Sequence, residues 1–191
     1  MLTFLQIWGG AAYLLNKICF SLAERSLDAR TNRFWRIWSW TVFLAGLPAW
    51  VAVFAVERNW IATAVESGGA PAMTVGLIVT LRGHGSEPRW LDLLAKYAVV
   101  FGLAASFYDF GGINTLNQWF ELAIAAGFLV GTYLLAKDRP QGYFWYILGN
   151  VACSALMFNQ GYQILMLQQA ASLIFVIDAY RMRRRKMARN Q

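Results

Sequence analysis

The sequence predicts an all-α membrane protein of seven transmembrane helices, set out as two parallel three-helix repeats around a linker helix. Three observations predict it. The 191 residues are 58% hydrophobic and only 14% charged, with a mean hydropathy of +0.41, too little polar surface to cover a globule. Stretches of the ~20 apolar residues that a bilayer requires recur at roughly 3–21, 34–56, 60–81, 93–110, 119–136, 142–159 and 162–180. Basic residues, finally, gather in every second connection, which is how a multi-pass protein is oriented.

The connections are taken in order. Arg25, Arg30, Arg33 and Arg36 follow the first span; Arg82, Arg89 and Lys96 surround the third connection; Lys137 and Arg139 mark the fifth; Arg181 to Lys186 end the chain. By the positive-inside rule these face the cytoplasm, which puts the N-terminus out and the C-terminus in. The connections near Arg58, from Gly111 to Gln118, and from Asn159 to Gly161 then face out. The tail run Arg181, Arg183, Arg184, Arg185 and Lys186 has the chemistry of an anionic-lipid or nucleic-acid patch. Its position after the last span makes it a topology anchor, and no nucleic-acid partner is expected. The first span runs on into Asn16 and Lys17 without a small-residue cleavage site, unlike a removable signal peptide.

Seven spans in one transmembrane domain divide into a first repeat over about 1–83, a linker helix over about 84–114, and a second repeat with a basic cytoplasmic tail over about 115–191, the odd count that parallel repeats need. Asn59-Trp60 and Gly161-Tyr162 open the third and seventh spans, and a polar residue, Glu66 or Gln168, follows each aromatic by six positions.

Function classes fall away quickly. Cys19 and Cys153 sit inside spans and read as packing residues, not a disulfide framework. His84 has no second ligand at metal spacing. With no phosphate loop, nucleophile elbow or Cys/His pair, neither an enzyme nor a cofactor is expected.

Intramembrane polar groups are more telling, because a charge at mid-bilayer costs at least ~2.5–3.5 kcal/mol. Glu66 precedes Ser67, Gly68, Gly69, Ala70 and Pro71, and the proline predicts a kink or local unwinding that would open a polar cavity. Close packing at the glycine pair, with Glu66 paired to a lysine or arginine, is the plainer alternative. Glu121, Asp178 and Asp109 lie nearer span ends, where interfacial water suffices. In the sixth span Tyr143, Tyr146 and Asn150 share one helical face at i, i+3, i+7, continued by Met157. Two phenol rings above an amide suit a flat heteroaromatic ligand, and a positively charged ring would gain a further ~0.5–2 kcal/mol of cation–π attraction. An aromatic belt at the membrane interface accounts equally for the tyrosines, and an interhelical hydrogen bond for Asn150. Gln160 and Gln168, with Gln163 and Gln169 nearby, add amides that would be costly against lipid. Together with Glu66 they suit the hydroxyls of a ribose or sugar-like group.

The segment Gln118–Arg185, about a third of the chain, resembles the C-terminal repeat of the PnuC family of vitamin transporters. The resemblance rests on the charged turn Lys137-Asp138-Arg139, the aromatic pair Tyr143 and Tyr146 with Asn150 four further on, the Gln160-Gly161 turn, Gln168 and the basic tail. The family usually carries tryptophans where this chain has Tyr143 and Tyr146, its own being displaced to Trp145. The resemblance implies a homotrimeric uniporter of the bacterial inner membrane, moving nicotinamide riboside or a related vitamin by facilitated diffusion. The substrate-binding residues expected are Tyr143, Tyr146, Asn150, Gln160, Gln168 and Glu66. A sugar carrier of the SWEET or PQ-loop type is the alternative transporter, although Pro140-Gln141 sits at a loop edge. A non-transporting scaffold or accessory subunit is the alternative from another class.

Overall fold

A computed structural model describes residues 2–109, 115–161 and 163–189, and these form seven α-helices with no strand among the described residues. They are α1 (Leu2–Arg25), α2 (Ala29–Val56), α3 (Trp60–Arg82), α4 (Arg89–Asp109), α5 (Leu116–Ala136), α6 (Gln141–Asn159) and α7 (Gln163–Arg189). Four helical stretches, Ala29–Val56, Ala62–Arg82, Leu116–Ala136 and Gln163–Arg189, are long and apolar enough to cross a membrane. The sequences of α1, α4 and α6 are diluted by Asn16, Lys17 and Glu24, by Asp92 and Lys96, and by tyrosines and amides respectively. All three still turn large apolar side chains outward, among them Phe4 and Ile7, Tyr97 and Phe101, and Phe144 and Val151. That exposure suits lipid and does not suit water.

Local chemistry sets the helix starts. Asp28 caps α2 by accepting from the Thr31 amide at 2.9 Å, and Asn59 caps α3 through the Ala62 amide at 3.0 Å. Thr115 and Gln118 form a reciprocal capping box at α5, satisfying amides that helix geometry leaves without partners.

Each helix packs on the next, and α7 returns to α1, closing a ring. α3 also meets α5, so α4 lies outside against those two helices alone. The core between the helices is aromatic and aliphatic: Phe20, Trp40, Phe43, Tyr143, Tyr146 and Val176 are buried together.

Three expectations change. Residues 60–82 form one continuous helix through Pro71, so no local unwinding occurs. Proline removes one hydrogen bond there, and flanking turns keep the helical path. The expected tail after residue 180 is instead the last turns of α7, which runs to Arg189, because Arg183 and Lys186 find partners on α1 and the α5–α6 turn. Asp178, expected to rely on interfacial water, accepts from Arg25 at 2.8 Å through each carboxylate oxygen and from the Ser21 hydroxyl at 2.5 Å. The side chain of Asp109, residue 110 at the end of the expected fourth span, residues 111–114 of the expected outward connection, and Tyr162 lie outside the described residues.

Candidate functional site

At the middle of α1, Lys17 is buried at 4% exposure. Its ammonium faces four aromatic rings, at 5.1 Å from Tyr13, 5.3 Å from Phe43, 5.7 Å from Phe128 and 5.6 Å from Tyr146. All four lie inside the ~6 Å reach of cation–π attraction, which offsets part of the cost of burying an ammonium. The rings help the cation to be tolerated. Among the described residues no carboxylate lies within 4.0 Å of it.

The rings come from four helices and form two similar pairs. Tyr13 on α1 meets Phe43 on α2 edge-on, with centroids 4.8 Å apart and planes at 88°. Phe128 on α5 meets Tyr146 on α6 at 6.0 Å and 82°. A glycine sets each helix pair close: a Cβ on Gly46 of α2 would strike Ala12 and Tyr13, and one on Gly149 of α6 would meet Phe128 and Gly127.

Polar groups stand around this cage. The Tyr13 hydroxyl donates to Glu66 Oε2 at 2.5 Å, and the Tyr146 hydroxyl shares a 2.9 Å hydrogen bond with Thr132 Oγ1. One turn from Tyr13 on α1, Asn16 donates to both Ser39 Oγ and the Ser39 carbonyl; one turn from Tyr146 on α6, Asn150 donates to the Tyr146 carbonyl at 2.7 Å. Both amides are fully buried, and the oxygens Asn16 Oδ1 and Asn150 Oδ1 have no partner among the described residues. A buried acceptor left unpaired costs about 1–3 kcal/mol, so each is a candidate acceptor for a ligand N–H or O–H.

Of the six expected site residues, Tyr146, Asn150 and Glu66 belong to this region. Tyr143 does not. It is buried one turn away, where its hydroxyl donates to Glu24 Oε1 at 3.0 Å. Gln168 donates to the Gly10 carbonyl at 2.9 Å, joining α7 to α1. Gln160 is exposed at the C-terminal end of α6, and among the described residues no hydrogen bond brings it to the others. Glu66 takes its hydrogen bond from a phenol, and no lysine or arginine stands within ion-pair distance of it among the described residues.

The second polar assembly lies at the expected cytoplasmic end. Glu24 is fully buried and paired with Arg36 at 2.8 Å and Arg183 at 3.7 Å. Both guanidinium groups also reach Asp138, at 2.5 and 2.9 Å, and His84 stands 3.5 Å from it. Burial pushes the Asp138 carboxyl up, but the guanidiniums of Arg36 and Arg183 outweigh it and hold the group below the usual carboxylate range. Asp138 occupies the left-handed region at φ 56°, a conformation that Asp and Asn tolerate better than most residues. Lys186 donates to the Ser26 and Ala23 carbonyls at the end of α1, and Arg33 to the Thr80 and Leu81 carbonyls at the end of α3. A cavity of about 160 Å³ opens beside Arg33, Arg36, His84 and Asp138, away from the cage.

Lys17, Tyr13, Phe43 and Phe128 were not legible as site residues from spacing alone, although Lys17 is as costly inside a span as Glu66. No protein-family model matches the chain, and comparison with curated proteins and with solved structures gives no match.

Proposed function

We propose that the chain is a multi-pass membrane transporter for a small aromatic vitamin or nucleoside, working by facilitated diffusion in a bacterial inner membrane. The observation that carries this reading is the aromatic cage with its unpaired amide oxygens, buried at the centre of a bundle of helices with apolar exteriors. Buried acceptors of this kind suit a site that takes hydrogen bonds from a ligand, which favours binding over a purely helix-gluing role. The resemblance to the PnuC family points the same way and suggests nicotinamide riboside or a relative as cargo, carried by a homotrimer.

The two-repeat architecture has support in the packing. α1–α2, α2–α3 and α3–α5 correspond to α5–α6, α6–α7 and α7–α1, with α4 as the linker outside. The sequence pattern aromatic-x-x-aromatic-x-x-Gly occurs in α2 as Trp40, Phe43 and Gly46 and in α6 as Tyr143, Tyr146 and Gly149. Rocking one repeat against the other would part the Tyr13–Phe43 pair from the Phe128–Tyr146 pair and open the cage. The ion pairs of Glu24 and Arg36 with Arg183 and Asp138 join the same two halves, as a closed cytoplasmic gate would.

Purified protein in liposomes tests the reading. It is expected to take up a labelled member of a panel of nucleosides, nicotinamide riboside, thiamine and riboflavin without a proton or sodium gradient. Uptake of none, with the protein folded, would favour the scaffold.

A further inference from the structure

We propose that the cavity beside Arg33, Arg36 and His84 is a binding site for a phosphate monoester, taken by its dianionic head. This site is separate from the aromatic cage and does not depend on the transport reading.

Four parts of the chain meet at the cavity. Arg33 and Arg36 come from α2, Thr80 from the last turn of α3, His84 from the α3–α4 connection and Asp138 from the α5–α6 turn. An occupant would therefore touch both halves of the bundle. The two arginines stand at i and i+3 on α2, so they share one face of the helix.

Their donors are only partly used, and a guanidinium has five. Arg33 donates through Nε to the Thr80 carbonyl at 3.2 Å and through Nη2 to the Leu81 carbonyl at 2.6 Å. Those bonds hold the group at the end of α3, and Nη1 donates to nothing among the described residues. Arg36 spends Nη2 on Glu24 and Nη1 on Asp138, and its Nε is buried with no hydrogen-bond partner among the described residues. A buried donor without an acceptor is costly, and a ligand oxygen would relieve it.

Charge favours an anion. Arg33, Arg36, Arg183 and Lys186 outnumber the carboxylates of Glu24 and Asp138 at this end of the bundle. Asp138 opposes an anion only weakly, because Arg36 and Arg183 both pair with it, at 2.5 and 2.9 Å. A cation would meet the guanidiniums instead.

Size narrows the class. The volume of about 160 Å³ is several times the ~30 Å³ of a water in the liquid and well below the ~300–1,000 Å³ of pockets that enclose drug-sized ligands. It takes one compact oxyanion, with the remainder of the molecule outside. A phosphate monoester brings three terminal oxygens and nearly two charges at neutral pH, enough for Arg33, Arg36 and His84 together, and guanidinium forks match its geometry. A carboxylate brings two oxygens and one charge.

The same head occurs on soluble esters and on phosphatidate, so the experiment has two arms. In one, inorganic phosphate and glycerol 3-phosphate are titrated by calorimetry into the purified protein in detergent, at constant ionic strength because diffuse surface charge is screened by salt. In the other, thermal unfolding is compared in phosphatidylcholine nanodiscs with and without phosphatidate. Wild type is expected to bind in at least one arm, with a soluble dissociation constant of about 1 mM or tighter. Arg33→Gln is expected to weaken binding at least about tenfold and His84→Ala at least about threefold, as loss of a hydrogen bond to a charged group does. Arg185→Gln, at an exposed position of α7 that does not line the cavity, is expected to leave it unchanged. Binding of the soluble probes alone assigns the site to a free ester, and stabilisation by phosphatidate alone assigns it to a lipid head; either supports the proposal. Absence of binding in both arms overturns it. So does an equal loss in all three variants, which is diffuse attraction, or full affinity in a folded Arg33→Gln protein. If Arg33→Gln fails to fold, His84→Ala, at an exposed loop position, decides in its place.

Discussion

The Tyr143 hydroxyl donates a 3.0 Å hydrogen bond to Glu24 Oε1, tying α6 to α1 across 119 positions of sequence, whereas Tyr146, one turn further along α6, turns its ring to Lys17. The two tyrosines share a helical face but have different partners. Tyr143→Phe is therefore expected to lower stability by about 1.5–3 kcal/mol, the range for a hydrogen bond to a charged group, with ligand affinity unchanged. Tyr146→Phe keeps the caging ring and loses only the bond to Thr132, about 0.5–1.5 kcal/mol, while Tyr146→Leu removes the ring and should abolish ligand-induced thermal stabilisation. Thermal unfolding in detergent, with and without whichever panel compound proves to bind, reads both effects.

Glu24 has no exposure and faces Arg36, Arg183 and the Tyr143 hydroxyl. Removing one member of a buried ion pair strands the other, a loss of about 3–5 kcal/mol. Arg36 retains Asp138, so Glu24→Gln is expected at the lower end, about 3 kcal/mol. Glu57→Gln, at an exposed position, should stay within about 0.5 kcal/mol. Equal midpoints for the two variants would show that the Glu24 assembly contributes nothing to the fold.

Asp138 gives a pH prediction with a definite sign. Its carboxyl is held below the usual range in the folded protein by Arg36 and Arg183, against the effect of burial. A depressed folded value contributes stability that is present above the unfolded value of about 3.9 and is lost as pH falls through the folded one. Wild type should thus keep this contribution from neutral pH to about pH 5 and lose it below about pH 4. Asp138→Asn, which suits the same left-handed backbone, removes the contribution throughout. The stability difference between the two proteins should be flat near neutrality and shrink in acid; a difference that grows on acidification would refute the assignment.

Legibility from sequence differed by kind of feature. Helix number and approximate placement were readable because apolar length is a local property, whereas the caps at Asp28 and Thr115 start α2 and α5 earlier than the expected 34 and 119. Glu66 and Asn150 stood out because a polar group in an apolar stretch needs a partner. Lys17 carried the same signal, but it stood in the first span, where its charge spoke only against a signal peptide. Phe43 and Phe128 gave no signal, since an aromatic in a span is ordinary until its neighbours are known. The cage is a relation among four helices, visible in sequence only through the faint correspondence of Trp40, Phe43 and Gly46 with Tyr143, Tyr146 and Gly149. Gln160 and Tyr143 lie apart from the cage for the converse reason: spacing along one helix shows which side chains share a face, not what that face meets.

Gly127 and Gly149 mark the closest approach in the second half, and they allow a steric prediction. A Cβ on Gly127 would lie 2.5 Å from Gly149 Cα and 2.8 Å from the Trp145 carbonyl oxygen. Both are backbone atoms of α6, so no side-chain rotation relieves the contact and the helices must separate. Separation would also pull the Phe128 ring away from Tyr146, because Phe128 follows Gly127 on α5 and packs against Gly149. Gly68 on α3 is the matched control, since a Cβ there would meet Ala98 at 3.6 Å, an ordinary contact. Replacing a helical glycine by alanine otherwise favours the helix by about 0.5–1 kcal/mol. Gly68→Ala is therefore expected to be neutral or stabilising, and Gly127→Ala to cost about 1–3 kcal/mol, as overpacking does. Loss of ligand binding is expected for Gly127→Ala even at temperatures where it stays folded. If Gly127→Ala unfolds no earlier than Gly68→Ala and binds as wild type does, the α5–α6 contact is looser than described and the cage does not depend on it.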